Sequence, residues 1–163
     1  IEKKLKNSET SVKIIRPFTV YGPYGRPDML ILKLLSLIKR NKTIKIYDYG
    51  NQIRDFTFIK DVVNIIFLLS KKLDRNLKVF NICASKPIKI NNIIFLAQSI
   101  LNKKIKIRYA FKRKGEMKIT YGSNKRLIKY IKFKKFTAVK DGLNETIKWF
   151  KEFKNKSFFI KIK

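Results

Sequence analysis

The stretch Arg16-Pro17-Phe18-Thr19-Val20-Tyr21-Gly22-Pro23-Tyr24-Gly25-Arg26-Pro27-Asp28-Met29 joins an apolar run, Val12, Ile14 and Ile15, to a segment rich in Gly and Pro. The apolar run makes residues 11–21 a strand, and Gly22, Pro23, Gly25 and Pro27 break it into an irregular loop at its C-terminal end. Asp28 is placed to cap a helix over residues 29–40, where Leu30, Leu34, Leu37 and Ile38 recur at helical spacing. Working outward, residues 44–47 and 53–58 read as short strands around a turn at Gly50-Asn51. Asp61 opens a second helix with Val62, Ile65, Ile66 and Leu69 on one face. Residues 78–82 form a further strand, 91–101 a helix and 105–109 a strand. Residues 139–153 form an amphipathic helix anchored by Ile147, Phe150 and Phe153, followed by a basic tail. Strands alternating with helices predict an α/β protein. Residues 2–7 read as the end of a helix, the first residue is Ile1, and so apolar a strand as 11–21 calls for partners on both sides. The expectation is a part of a longer protein.

A chain of 163 residues is one domain's worth of sequence, and 45% hydrophobic with 31% charged residues is a globular composition. There is no His and a single Cys, Cys83. Ser-His-Asp triads, His-ligated metals, zinc ribbons and intrachain disulfides are therefore excluded within this sequence. The longest apolar stretch, residues 29–38, contains Lys33 and is too short to span a bilayer. One Cys and the lack of an N-terminal apolar segment with a cleavage site point to the cytoplasm.

The net charge of +29 would ordinarily point to nucleic acid or an anionic membrane. The residue types argue otherwise: 32 Lys stand against 8 Arg, with 25 Ile, 12 Asn and only 4 Ala, the signature of A/T-rich codons. Readers of nucleic acid favour Arg for its planar fork, and here the basic residues are spread through every segment, most densely after residue 100. A nucleic-acid partner is not expected from this charge.

Residues 16–29 resemble the matching stretch of extended short-chain dehydrogenase/reductase enzymes that act on nucleotide sugars, the NAD-dependent epimerase/dehydratase family, and in particular its UDP-glucuronate 4-epimerases. Tyr47-Asp48-Tyr49-Gly50 leading to Arg54-Asp55-Phe56-Thr57-Phe58-Ile59-Lys60-Asp61-Val62 is similar to that family's next block, and Phe80-Asn81-Ile82 to its Tyr/Phe-Asn-Ile-Gly turn. Arg113-Lys114-Gly115-Glu116 with Thr120-Tyr121 resembles its Arg-x-Gly-Asp and Thr-x-Ala-Asp block. Lys140-Asp141-Gly142 with Trp149-Phe150 resembles its terminal helix. The blocks occur in family order along nearly the whole chain.

The resemblance implies the C-terminal part of a Rossmann-type enzyme with its small substrate-binding subdomain. Residues 1–163 would be the substrate-binding portion, and the NAD-binding portion with its Gly-rich loop and Tyr-x-x-x-Lys pair would lie outside them. It implies NAD as cofactor, a UDP-sugar as substrate, a homodimer when intact, and a role in cell-envelope polysaccharide. Thr19 and Arg26 match residues that hold a uronate carboxylate, which suits a hydroxyl donor and a bidentate guanidinium. Arg54 and Arg113 match arginines that grip the diphosphate, Glu116 an acid that binds the ribose hydroxyls, and Tyr47 an aromatic that stacks on uracil. Pro17 and Phe18 match a strand end lying against the nicotinamide.

Each position has a plainer alternative. Arg26 would bind backbone carbonyls, Arg54 or Arg113 would form an ordinary Arg–Asp pair, Asp55 being adjacent to Arg54, and Tyr47 and Phe18 would pack in the core. The sequence departs from the family at Cys83 (usually Gly), Lys114 (commonly Pro), Glu116 (Asp) and Gly122-Ser123 (Ala-Asp). Gly22-Pro23-Tyr24-Gly25 has neither the spacing nor the setting of a dinucleotide fingerprint. Tyr121-Gly122-Ser123-Asn124-Lys125 spells Tyr-x-x-x-Lys, but it follows the substrate blocks and such spellings arise by chance in a Lys-rich chain. No catalytic residue is expected here, and alone the chain is not expected to catalyse. The alternatives are a UDP-hexose 4-epimerase or 4,6-dehydratase of the same family, or a non-catalytic basic binding protein.

Overall fold

The computed structural model describes residues 10–74 and 77–153. The expected helix end at residues 2–7 and the basic tail lie outside them. In chain order the elements are β1 (Lys13–Pro17), β2 (Val20–Tyr21), α1 (Leu30–Lys39), β3 (Ile44–Tyr47), β4 (Ile53–Arg54) and β5 (Thr57–Phe58). Then come α2 (Ile59–Ser70), β6 (Lys78–Ile82), β7 (Ile88–Lys89), α3 (Ile90–Leu101), β8 (Ile107–Ala110), β9 (Ile119–Thr120), α4 (Lys125–Ile131) and α5 (Val139–Glu152). The α/β expectation holds, and the pairing is mostly parallel: β1 with β6, β2 with β5, β3 with β8 and β4 with β9, with β7 antiparallel on the other side of β4.

The expected strand over residues 11–21 is two strands with different partners. Lys13 through Pro17 runs in register with Lys78 through Ile82. Phe18 still donates to the carbonyl of Ile82, at 2.9 Å, but Pro17 has no N–H to give. Thr19 then turns its carbonyl to the Thr57 N–H, 3.1 Å away, and β2 continues beside β5. Among the described residues β1 is paired on one side only, and Ile14 and Ile15 are half-buried.

Two cores result. One gathers α1, α3 and α5 around β3, with Leu34, Ile44, Ile93 and Leu143 at 1% exposure or less. Burying each such side chain contributes about 1.5–3 kcal/mol. The other packs α2 and α4 on β6 through Val62, Ile65, Leu69, Phe80, Ile82 and Leu127. Ile66, expected on the buried face of α2, is 43% exposed beside Val63 and Phe67.

Helix termini differ from expectation in an instructive way. Asp28 does not cap α1: Met29 occupies the cap without a side-chain bond, while Asp28 pairs with Arg26. The helix is closed instead at its far end, where Asn41 adopts φ 54° and the N–H groups of Asn41 and Lys42 return to Ile38 and Leu37. Asp61 lies in the first turn of α2 rather than opening it, and its carboxylate accepts from the N–H (2.8 Å) and hydroxyl (2.9 Å) of Thr137. It pins the segment before α5 to α2.

Gly142 in α5 faces Tyr21. A Cβ there would lie 2.1 Å from the Tyr21 Oη and 2.9 Å from Phe58 Cδ2, both in the core. Ala normally exceeds Gly in a helix interior by about 1 kcal/mol. Here Gly142→Ala should instead destabilise by about 1–3 kcal/mol, the usual cost of overpacking. Urea denaturation reads the sign directly, and a stabilised variant would contradict the packing described.

Asp55, fully buried between β4 and β5, accepts through Oδ2 from the N–H groups of Ser85 (3.1 Å) and Gly122 (3.4 Å), while Oδ1 has no partner. Burial pushes its pKa up, and the amides around it oppose the shift only in part. The folded state therefore holds this proton more tightly than the unfolded state does. The resulting stability is present below the unfolded value, about 3.9, and is lost as pH rises through the folded value. Comparing wild type with Asp55→Asn by urea denaturation from pH 4 to 7, wild type should lose ground to the variant as pH rises. A difference independent of pH would rule this out.

Candidate substrate site

A cavity of about 310 Å³ opens between the loop after β2, the start of α1, strands β3 and β4, and the segment before β9. All six residues expected to bind substrate line it: Thr19, Arg26, Tyr47, Arg54, Arg113 and Glu116. They lie as far as 97 residues apart in sequence, numbered from 19 to 116, and the parallel pairings bring them together. The rest of the lining is largely apolar, including Met29, Leu32, Ile44, Ile46, Phe56 and Ile90.

Arg26 projects from the loop with its guanidinium engaged by a carboxylate. Nε donates to Asp28 Oδ1 at 3.1 Å and Nη2 to Oδ2 at 2.7 Å. The two side chains are 76% and 56% exposed, and the bond to Arg26 holds the Asp28 carboxyl below its ordinary range. Arg26 thus binds a carboxylate through its fork, and the backbone-carbonyl alternative does not describe it. Thr19 sits half-buried at the partner switch between β1 and β2.

Arg54 is not paired with Asp55. Successive residues of a strand face opposite ways, and Asp55 points to the Ser85–Gly122 side. Arg54 Nη1 donates to the carbonyls of Ile53 (2.8 Å) and Lys118 (3.3 Å), Nη2 donates to that of Met117 (2.8 Å), and Nη2 lies 4.0 Å from Glu116 Oε1. It fastens the segment carrying Glu116 to β4. With several donors committed, Arg54 offers the cavity its charge more than its full fork.

Tyr47 and Arg113 form a pair, with the guanidinium carbon 3.7 Å from the ring centroid and the Lys45 ammonium 5.0 Å from it. Those cations, Arg113 first, lower the pKa of the phenol. The arrangement is neither the Arg–Asp pair nor the core aromatic offered as alternatives: Tyr47 is half-buried at the cavity wall with an arginine stacked on it.

Pro17 and Phe18 stand apart from this cavity, at the C-terminal end of β1. The Phe18 ring rests on Gly122, where a Cβ would come within 2.7 Å of Cζ. An Ala at position 122 would crowd that ring. Cys83 is fully buried with Sγ 3.5 Å from Ser85 Oγ, and burial raises its thiol pKa, so it is inert packing. Tyr121 is 63% exposed in extended chain, and Lys125 is the first residue of α4. The two do not share a helix face as a helical Tyr-x-x-x-Lys pair would.

Two lining residues were missed from sequence. Gln52 is 7% exposed with its amide nitrogen unpartnered, and Asp28 completes the Arg26 pair. The signal for Gln52 was its spacing: two residues before Arg54, just ahead of β4, it falls on the face of Arg54 if the chain there is extended.

Comparison with known proteins agrees with this geometry. The model of the NAD dependent epimerase/dehydratase family matches residues 3–83. A UDP-glucuronate 4-epimerase of Thermodesulfobacterium geofontis is 35% identical over 142 residues, covering 86% of this chain and 43% of the relative. Among solved structures, MoeE5 in complex with UDP-glucuronic acid and NAD superposes with a TM-score of 0.82 at 31% identity, over 87% of this chain and 48% of that one. The same protein with UDP-glucose and NAD gives 0.84 at 30%, over 89% and 48%. The UDP-glucuronic acid 4-epimerase of Bacillus cereus, also with UDP-glucuronic acid and NAD, gives 0.80 at 28%, over 86% and 45%. The chain spans about half the length of the relatives it matches. Two of these relatives are named as UDP-glucuronate 4-epimerases, and the solved structures hold a UDP-sugar together with NAD. With its α/β fold and its parallel pairings, the chain belongs to the NAD dependent epimerase/dehydratase family.

Proposed function

We propose that this chain is the C-terminal, substrate-binding portion of an NAD-dependent 4-epimerase that acts on UDP-glucuronate and yields UDP-galacturonate. The observation that carries the proposal is the Arg26–Asp28 pair: at the wall of the cavity stands a guanidinium whose fork already takes a carboxylate in bidentate fashion. A uronate presents the same group. Arg54 and Arg113 add the positive charge a diphosphate needs, and Glu116 offers acceptors for ribose hydroxyls. A UDP-hexose substrate is the second reading, favoured by the relative that binds UDP-glucose as well as UDP-glucuronic acid.

The residues present fit NAD at one point. Pro17 and Phe18 end a parallel strand, the side of such a sheet where ligands bind, and Phe18 is half-buried against Gly122 with part of its surface open. When bound there, NAD supplies acceptance and return of a hydride at C4 of the sugar. The chain's own share of the work is to bind and orient: Thr19 and Arg26 hold the sugar carboxylate, and Arg54, Arg113 and Glu116 hold the nucleotide. The acid–base pair and the Gly-rich loop belong to another segment of the complete enzyme. The edge of β1 that has no strand beside it among the described residues, and the exposed Val63, Ile66 and Phe67 of α2, offer that segment a surface. The buried, inert Cys83 suits a reducing cytoplasm, and UDP-galacturonate is a precursor suited to cell-envelope polysaccharide.

Titration calorimetry of the full chain with UDP-glucuronate and UDP-glucose tests the assignment. Arg26→Ala should weaken UDP-glucuronate by about tenfold, as expected for a charge-assisted pair, and leave UDP-glucose nearly unchanged. Equal losses on both ligands would sink the carboxylate clamp and favour the UDP-hexose reading.

A further inference from the structure

The loop that carries Arg26 is pressed against the protein on either side of one unusual residue. Gly22, at φ 144°, lies so close to α2 that a Cβ there would meet Ile59 Cγ2 at 2.3 Å. Gly25 lies on α1, where a Cβ would come 3.2 Å from Leu32 Cδ1. Between them Tyr24 adopts φ 58°, a left-handed backbone that glycine enters freely and a side chain disfavours. Its ring is 72% exposed and yet has definite neighbours. The ring centroid lies 5.1 Å from that of Trp149, tilted by 55°, and 5.6 Å from that of Phe153, edge-on at 83°.

Those neighbours are the last turn of α5. Phe153 donates its N–H to the Trp149 carbonyl, the two rings stack at 5.1 Å, and Trp149 packs on the larger core. The beginning of α5 is tied to the same stretch of chain, because the Tyr21 hydroxyl donates to the Val139 carbonyl at 3.4 Å and Gly142 passes against the Tyr21 ring. The helix therefore grips residues 21–24 at both of its ends. Gly22, Gly25, Arg26 and Asp28 line the cavity, whereas Tyr24, Trp149 and Phe153 do not. A disfavoured backbone persists where its surroundings over-determine it, and here the ring contacts with α5 do so.

We propose that Tyr24 is a positioning residue for substrate specificity: its ring, held by Trp149 and Phe153, fixes the loop so that the Arg26 guanidinium is presented to the cavity. This rests on the UDP-sugar reading above. Tyr24 touches no part of the substrate and acts through Arg26, two residues further on. The end of α5, which belongs to a different part of the sequence and lies outside the cavity, thereby helps to set the preference for a uronate over a neutral hexose.

The test uses the full chain with Tyr24→Gly, Tyr24→Phe, Phe153→Ala and Arg26→Ala, each titrated by calorimetry with UDP-glucuronate and UDP-glucose. Tyr24→Gly leaves φ 58° accessible and removes the ring. It should weaken UDP-glucuronate about three- to tenfold, the coupling expected of residues in one structural unit, and leave UDP-glucose nearly unchanged. Phe153→Ala should show the same selective loss from the helix side, and Tyr24→Phe should bind both ligands as wild type does. Combined with Arg26→Ala, Tyr24→Gly should add nothing to the loss that Arg26→Ala causes alone. Trp149 is the one tryptophan of the sequence, so its emission reports the ring contact without ligand: it should move to longer wavelength in Tyr24→Gly and stay in place in Tyr24→Phe. Unchanged emission in Tyr24→Gly, equal losses on the two ligands, or additive losses in the double variant overturn the proposal. If wild type binds neither ligand, or Arg26→Ala weakens both alike, the reading of the site falls and the role of Tyr24 falls with it. A selective loss in Arg26→Ala with unaltered binding in Tyr24→Gly removes the role of Tyr24 alone.

Discussion

Arg54, the last residue of β4, and Asp55, which follows it, point their side chains opposite ways and hold three distant segments in place. Arg54 reaches the carbonyls of Met117 and Lys118 and draws the segment of Arg113 and Glu116 over the cavity. Asp55 reaches the amides of Ser85 and Gly122, fixing the turn after β6 to the chain entering α4. Ser85 extends that anchorage, donating to the Gly122 carbonyl at 2.9 Å and accepting from the Asn124 N–H at 3.1 Å. Loss of either side chain would leave backbone groups unpaired at places where the chain has little regular structure of its own. The site exists because these two residues convert short, weakly paired strands into a fixed frame.

The same frame shows why the large net charge is a poor guide to function and the few arginines a good one. Lysines outnumber arginines 32 to 8, and most are solvated, yet three of the eight arginines, Arg26, Arg54 and Arg113, line the cavity. In each the planar guanidinium does something an ammonium does not. It forks onto Asp28, spans several carbonyls at once, or sits over the Tyr47 ring.

Elements long enough to show a period were legible in the sequence. The strand at residues 78–82 and the helices at 30–39, 90–101 and 139–152 lie within a residue or so of their expected limits. What escaped had no period to show. β7 and β9 are two residues each and exist only through pairing with β4, and α4 is seven residues with four apolar positions among lysines and arginine. The strand at 11–21 looked continuous because its apolar pattern is continuous; the change of partner at Pro17–Thr19 is set by what lies beside it. Likewise Asp28 and Asp61 have the look of helix caps, and both instead serve contacts, one with Arg26 and one with Thr137, that local sequence does not specify. The cavity residues were legible through their family blocks. Their pairing, Arg113 on Tyr47 and Arg54 on carbonyls, depends on register between strands far apart in sequence.

The Arg26–Asp28 pair also bears on how selective such a site can be. On the proposed reading a uronate entering the cavity exchanges one carboxylate for another at the same guanidinium, so the number of charge-assisted bonds to Arg26 is conserved. A neutral hexose leaves Asp28 in place and requires no exchange. Arg26 therefore discriminates only to the extent that the substrate carboxylate is better placed than that of Asp28. Two features favour the substrate. Thr19 lines the cavity and offers a hydroxyl to the incoming group, and a bound nucleotide sugar shields from water a guanidinium that is otherwise largely exposed, which strengthens whatever it then holds.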